Sequence, residues 1–104
     1  MKIKYISSQR YINAEIVLGK VESADFDVLV SPAFEIDGEM LAVILDGHHS
    51  YHAAIEAGVT PDFTVATIQN HDAVALLDHD VDLFLESIHM GDDYYYVDTG
   101  VTVW

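Results

Sequence analysis

The chain of 104 residues reads as a single α+β domain, a small mixed sheet carrying two main helices. Three observations predict this class. Short runs with apolar residues at every second position alternate with stretches where they recur at every third or fourth. Asp37-Gly38, a hairpin turn signal, sits in the first half of the chain. Met40–Leu45 is apolar on both faces, as a central buried strand requires, and runs directly into Asp46-Gly47 and a helical pattern. With 51% hydrophobic residues the chain can bury a core, and a disordered chain is excluded.

The elements follow in order. Lys2–Ser7 predicts an edge strand, with Ile3 and Tyr5 alternating against Lys2 and Lys4. Within residues 8–24, Ala14–Leu18 fits either a helical turn or a short strand. Phe26–Ile36 predicts a strand in which Pro32 marks an edge or a bulge. His48–Ala57 predicts a helix that buries Tyr51, Ala54 and Ile55 and closes on Gly58. Thr60-Pro61-Asp62 is a turn and Phe63–Ile68 a further strand. His71–Met90 predicts the longest helix, capped by Asn70, with Ala73, Val74, Leu76, Leu77, Val81, Phe84, Leu85 and Ile88 on its apolar face. After Gly91-Asp92-Asp93, Tyr94–Trp104 predicts a final strand kinked at Gly100.

Charge is distributed unevenly. Lys2, Lys4, Arg10 and Lys20 are the only Lys or Arg residues, whereas 17 of the 18 acids, all but Glu15, follow Lys20, and the formal net charge is −14. Such a chain is unsuited to direct contact with nucleic acid or an anionic membrane, because phosphate contacts need Lys and Arg. It suits a basic protein surface instead. There is no cysteine, hence no disulfide, thiolate metal site or Cys nucleophile. Apolar runs are too short to cross a bilayer and the first residues do not read as a secretory signal, so a soluble cytoplasmic protein is expected.

Three groups of residues are candidates for function. The first is the turn Asp46, Gly47, His48, His49 and Ser50, where a strand, a glycine and a helix N-terminus would present free backbone N–H groups to an anion. The second is the histidines: His52 shares a helix flank with His48 and with His49, so the three, with Asp46, are candidate ligands for a divalent metal. No cofactor is otherwise predicted. The third is an acidic and aromatic surface. Asp72, Asp78, Asp80, Asp82, Glu86, Asp92, Asp93 and Asp98 place eight acids in 27 residues. Asp78, Asp82 and Glu86 would share one helix face, and Tyr94 and Tyr96 one strand face. Asp72, Asp78, Asp82, Glu86, Asp92, Asp93, Tyr94 and Tyr96 form the expected interface.

The stretch Asp46-Gly47-His48-His49-Ser50, with its following small residues and closing Gly58, resembles the signature turn of the ParB/sulfiredoxin-like fold family. The resemblance implies a single ParB-like domain over residues 1–104, and in that family the turn carries an Arg that reaches a phosphate. Here Ser50 occupies the Arg position and brings no charge. The leading expectation is therefore not an enzyme. It is an acidic protein-binding module, of the phage or mobile-element inhibitor type, that occupies the nucleic-acid-binding surface of a basic target. The alternative implied by the resemblance is a nucleotide-binding protein, or an enzyme of metal-dependent phosphoryl transfer or hydrolysis, using Asp46, His48 and His49.

Overall fold

The computed structural model describes residues 2–104. Its elements are β1 (Ile3–Ser7), α1 (Ala14–Ser23), β2 (Asp27–Val30), β3 (Phe34–Ile36), β4 (Glu39–Asp46), α2 (His48–Ala57), β5 (Asp62–Val65), a 3-10 segment (Asp72–Asp78), α3 (Val81–Ser87) and β6 (Tyr95–Tyr96). The strands form one mixed sheet in the order β5-β2-β4-β1-β6, with β3 also paired to β4, so the α+β class holds.

β4 is the organising strand. Its continuous apolar run is buried on both faces, as a strand with neighbours on both sides and helices above and below must be. Leu41, Val43 and Leu45 point to one face, where Val74, Phe84, Leu85 and Ile88 cover them. Ile44 points to the other, against Val28, Val30 and Tyr51. The β3–β4 hairpin turns on Asp37 and Gly38, with φ of 51° and 82°. Two successive positive φ values define the turn type that matches strand twist.

Several expectations need correction. The predicted Phe26–Ile36 strand is broken into β2 and β3, because Pro32 has no N–H to continue a ladder. Ser31 bridges the break: its N–H donates to Val43 O at 2.8 Å, and its hydroxyl accepts from Val43 N at 2.9 Å. β1 is an inner strand, parallel to β4 and antiparallel to β6, rather than an edge. Residues 14–23 form a full helix, with the Asn13 side chain accepting from Glu15 N and Ile16 N. On α2 the buried set is His48, Ser50, Tyr51, Ala53 and Ala54, whereas Ile55 is 57% exposed. The small residues on that side admit α1, which packs against α2.

The predicted 71–90 helix is also two pieces. Asp80 is extended (φ −158°), and its carboxylate accepts from Asp82 N and Leu83 N, starting α3 afresh. A short acidic side chain competes for backbone N–H groups and favours a cap over a helix interior. Both pieces nonetheless pack their apolar positions on the same sheet face. Asn70 caps nothing; it accepts from Thr67 N in the preceding turn. The last strand is short, and the chain reverses rather than kinks at Gly100 (φ 79°), whose N–H donates to Tyr96 O while Tyr96 N donates to Val101 O.

Candidate functional site

The Asp46–Ser50 turn forms where β4 ends over β2. Gly47 is the N-cap of α2, with φ 89° and no capping side chain. A Cβ there would lie 2.4 Å from Asp27 O and 3.0 Å from Val28 Cα. The position therefore demands glycine twice over, for its backbone conformation and for the close approach of β2. Asp46 does not cap the helix: its carboxylate accepts from the adjacent Gly47 N at 2.8 Å.

The three histidines diverge. His48 is buried, and its Nε2 is 2.6 Å from the Oγ of Ser7 on β1, itself fully buried. Burial lowers the His48 pKa to about 4; Asp46 acts in the opposite direction, and His49 and His52 reinforce the depression. His48 is thus neutral at ordinary pH and ties α2 to β1. His49 Nε2 accepts from Asn13 N at 3.1 Å and ties α2 to the start of α1. His52 is half-buried, with its pKa lowered by burial and by His49. Among the described residues, no group of three or more His, Asp or Glu is placed to hold a metal ion.

Ser50 is 2% exposed and donates to Asp25 Oδ1 at 3.3 Å. The other oxygen of Asp25 accepts from Lys20 Nζ at 2.7 Å. Lys20, with Asp27 N and Ser50 assisting, holds Asp25 below the usual carboxylate range. These groups line an open cleft of about 490 Å³ together with Asp27, Asp46, Gly47 and Thr64. The sequence reading missed Lys20 as a neighbour of the turn. It lies on α1, 30 positions from Ser50, and only the α1–α2 packing brings the two together. The cleft holds one cation against three carboxylates, so its field suits a basic group better than a free phosphate.

The acidic surface lies on the opposite side of the sheet. Asp72 and Asp78 sit in the 3-10 segment, Asp82 and Glu86 on α3, and Asp92 and Asp93 in the bend that follows, all exposed. The helix break means that Asp78 does not share the α3 face with Asp82 and Glu86. Asp92 has an internal task, accepting from Arg10 N at 3.0 Å. Among the described residues the ion pairs with Lys or Arg are Lys4–Glu39 and Lys20–Asp25, and neither involves this surface.

Tyr94 does not belong to an exposed interface. It is 8% exposed, packs in the core, and donates to Leu85 O at 2.6 Å. Tyr96 is half-buried and donates to Glu39 Oε1 at 2.6 Å, with Lys4 Nζ 5.4 Å above its ring. The exposed aromatic of this region is Trp104, 56% exposed and edge-on to Tyr94. No helix is long and apolar enough to cross a membrane among the described residues. No family model matches the chain, and no curated protein or solved structure is similar to it.

Proposed function

We propose that the protein is an acidic protein-binding module whose 72–93 surface occupies the basic, nucleic-acid-binding surface of a target protein. One observation carries the reading: the carboxylates of this surface are exposed, and the two Lys/Arg ion pairs found among the described residues lie elsewhere. Unpaired carboxylates on a small rigid scaffold repel nucleic acid and steer a basic partner. Exposed Leu83 and Met90 lie among the acids and add apolar contact area. The acid-lined cleft beside Gly47 suits the same kind of partner, as a receptor for an Arg or Lys side chain.

The test is recovery of the bound protein from the native host, followed by competition. The partner should be basic, should release its nucleic acid when this chain binds, and should bind less tightly as salt rises. A partner that holds nucleic acid and this chain together, with affinity independent of salt, overturns the reading.

A second reading rests on Lys20. It places a cation beside Ser50, the position at which the ParB/sulfiredoxin-like resemblance implies an Arg, and so supports a nucleotide-binding relative of that family. Because Asp25 already engages Lys20, free nucleotide should bind weakly without a divalent metal. Micromolar affinity for ATP or CTP in EDTA, measured by calorimetry, would favour this second reading over the first.

A further inference from the structure

The two ends of the sheet are finished differently. At one end the chain folds back along β6: Tyr96 N donates to Val101 O, Val103 N donates to Tyr94 O, and Tyr95 is bridged to Thr102. At the other end lies β5 (Asp62–Val65), bonded to β2 alone. Asp62, Thr64 and Val65 are exposed, Val65 at 58%. The usual guards of an edge are missing as well. Within β5 there is no Lys or Pro, and its register with β2 is unbroken by a bulge.

The register fixes which backbone groups of this edge are free. Asp62 N donates to Phe26 O and Ala66 N to Val30 O, so residues 62, 64 and 66 face β2. Phe63 and Val65 turn their N–H and C=O groups outward, and among the described residues nothing bonds them there. Beyond them the edge closes. Thr67 N donates to the Asn70 side chain, and Thr67 O accepts from Asn70 N and His71 N. A second copy of β5, running antiparallel, matches these free groups in one register, with Phe63 opposite Val65, Val65 opposite Phe63 and Thr64 facing itself on a two-fold axis. Centring on Phe63 would oppose Val65 to Pro61, which has no N–H. Centring on Val65 would oppose Phe63 to Thr67, whose groups are taken.

Charge and side chains suit the same register. In a chain of net charge −14, no residue from Phe63 to Asn70 carries a formal charge. Asp62 would face Ala66 rather than another acid. Phe63 and Val65 lie on the sheet face of their partners Val28 and Val30, so each exposed Val65 would gain an aromatic neighbour across the join.

We propose that two copies of the chain join antiparallel along β5, about an axis at Thr64, into one continuous sheet. So short a join covers little area, and the dimer is weak and concentration-dependent. Thr64 also lines the cleft of Asp25, Asp27 and Asp46, so the join brings two acidic clefts toward each other. Salt screens that repulsion and should tighten the dimer, whereas it loosens an acidic surface from a basic target. The join does not depend on what the acidic surface binds.

The experiment is sedimentation of the whole chain over a range of protein concentration, at low and at high salt. A monomer–dimer equilibrium is expected, severalfold tighter at high salt. Val65→Pro removes an outward N–H without touching the ladder to β2 and should leave a folded monomer, while Val65→Ala should still dimerise. Cross-linking fixes the register. Facing Thr64 residues would have Cα atoms about 4.5 Å apart, within reach of a disulfide. The chain has no cysteine, so Thr64→Cys supplies the only thiol and should form a covalent dimer on oxidation much faster than Thr99→Cys, an exposed position elsewhere. The proposal is overturned by a chain that stays monomeric at millimolar concentration in high salt, by a dimer that loosens with salt or survives Val65→Pro, or by Thr64→Cys cross-linking no faster than Thr99→Cys.

Discussion

At the Asp46–Ser50 turn almost every polar side chain is bound within the molecule: Asp46 to Gly47 N, His48 to Ser7, His49 to Asn13 and Ser50 to Asp25. On the 72–93 surface the carboxylates face water, and only Asp80 and Asp92 take structural roles. A sequence pattern rich in Gly, His and Asp thus builds the scaffold here, while plain repetition of Asp and Glu leaves groups free for a partner. Substitutions in the turn should act on stability, and substitutions on the acidic surface on association.

Gly47→Val should give the largest stability change. It combines strain at positive φ with a Cβ pressed into the β2 backbone, and should cost roughly 3 kcal/mol or more, read as a shift of the denaturant midpoint. An unchanged midpoint would dissolve the contrast, since the turn would then be adaptable.

Next in size is the pH dependence from His48. Its folded pKa, about 4, lies below the ordinary value of 6.5, so the unfolded chain binds the proton more readily. The stability it confers is complete above about pH 6.5 and is lost as pH falls through that value toward 4. The total is ~3 kcal/mol at about 1.36 kcal/mol per pH unit. His48→Asn should flatten the stability profile between those limits relative to the parent chain. Equal slopes for the two proteins would mean that burial does not hold the imidazole neutral.

Tyr94→Phe removes the hydroxyl bonded to Leu85 O and should cost about 1 kcal/mol, the usual worth of one buried hydrogen bond. A change in partner affinity without loss of stability would return Tyr94 to the interface. The smallest stability effect belongs to Asp82→Lys with Glu86→Lys, within about 0.5 kcal/mol, because both side chains face solvent. The same pair should slow association with a basic partner more than it speeds dissociation, as measured by surface plasmon resonance. A large fall in melting temperature would show that the acids support the fold after all.

Legibility followed the range of the interaction. The β4 run, the Asp37-Gly38 turn and the Gly58 cap are local and were readable from spacing and turn chemistry. The apolar face of 71–90 was readable too, but not its break, because Asp80 can be a helix residue or a cap and only packing decides. The break at Pro32 has a local cause, its missing N–H, but the Ser31 bonds that bridge it reach β4, twelve positions away. The site was less legible than the fold. The turn residues were singled out, but the partners that occupy them, Ser7, Asn13 and Asp25, lie far off in sequence and carry no distinctive pattern.

The pairing of β1 with β6 has a kinetic consequence. Ile6 and Ser7 meet Tyr96 and Tyr95, and Tyr95 donates to Gln9 O across 86 intervening steps of sequence. Closing so long a loop is entropically slow and is rewarded only when the sheet around β4 already stands. During synthesis, then, the first strand emerges from the ribosome long before its outer neighbour exists. Until residues 95 and 96 arrive, β1 offers a bare edge, and that edge is the point at which an unfinished chain is most exposed to pairing with another copy.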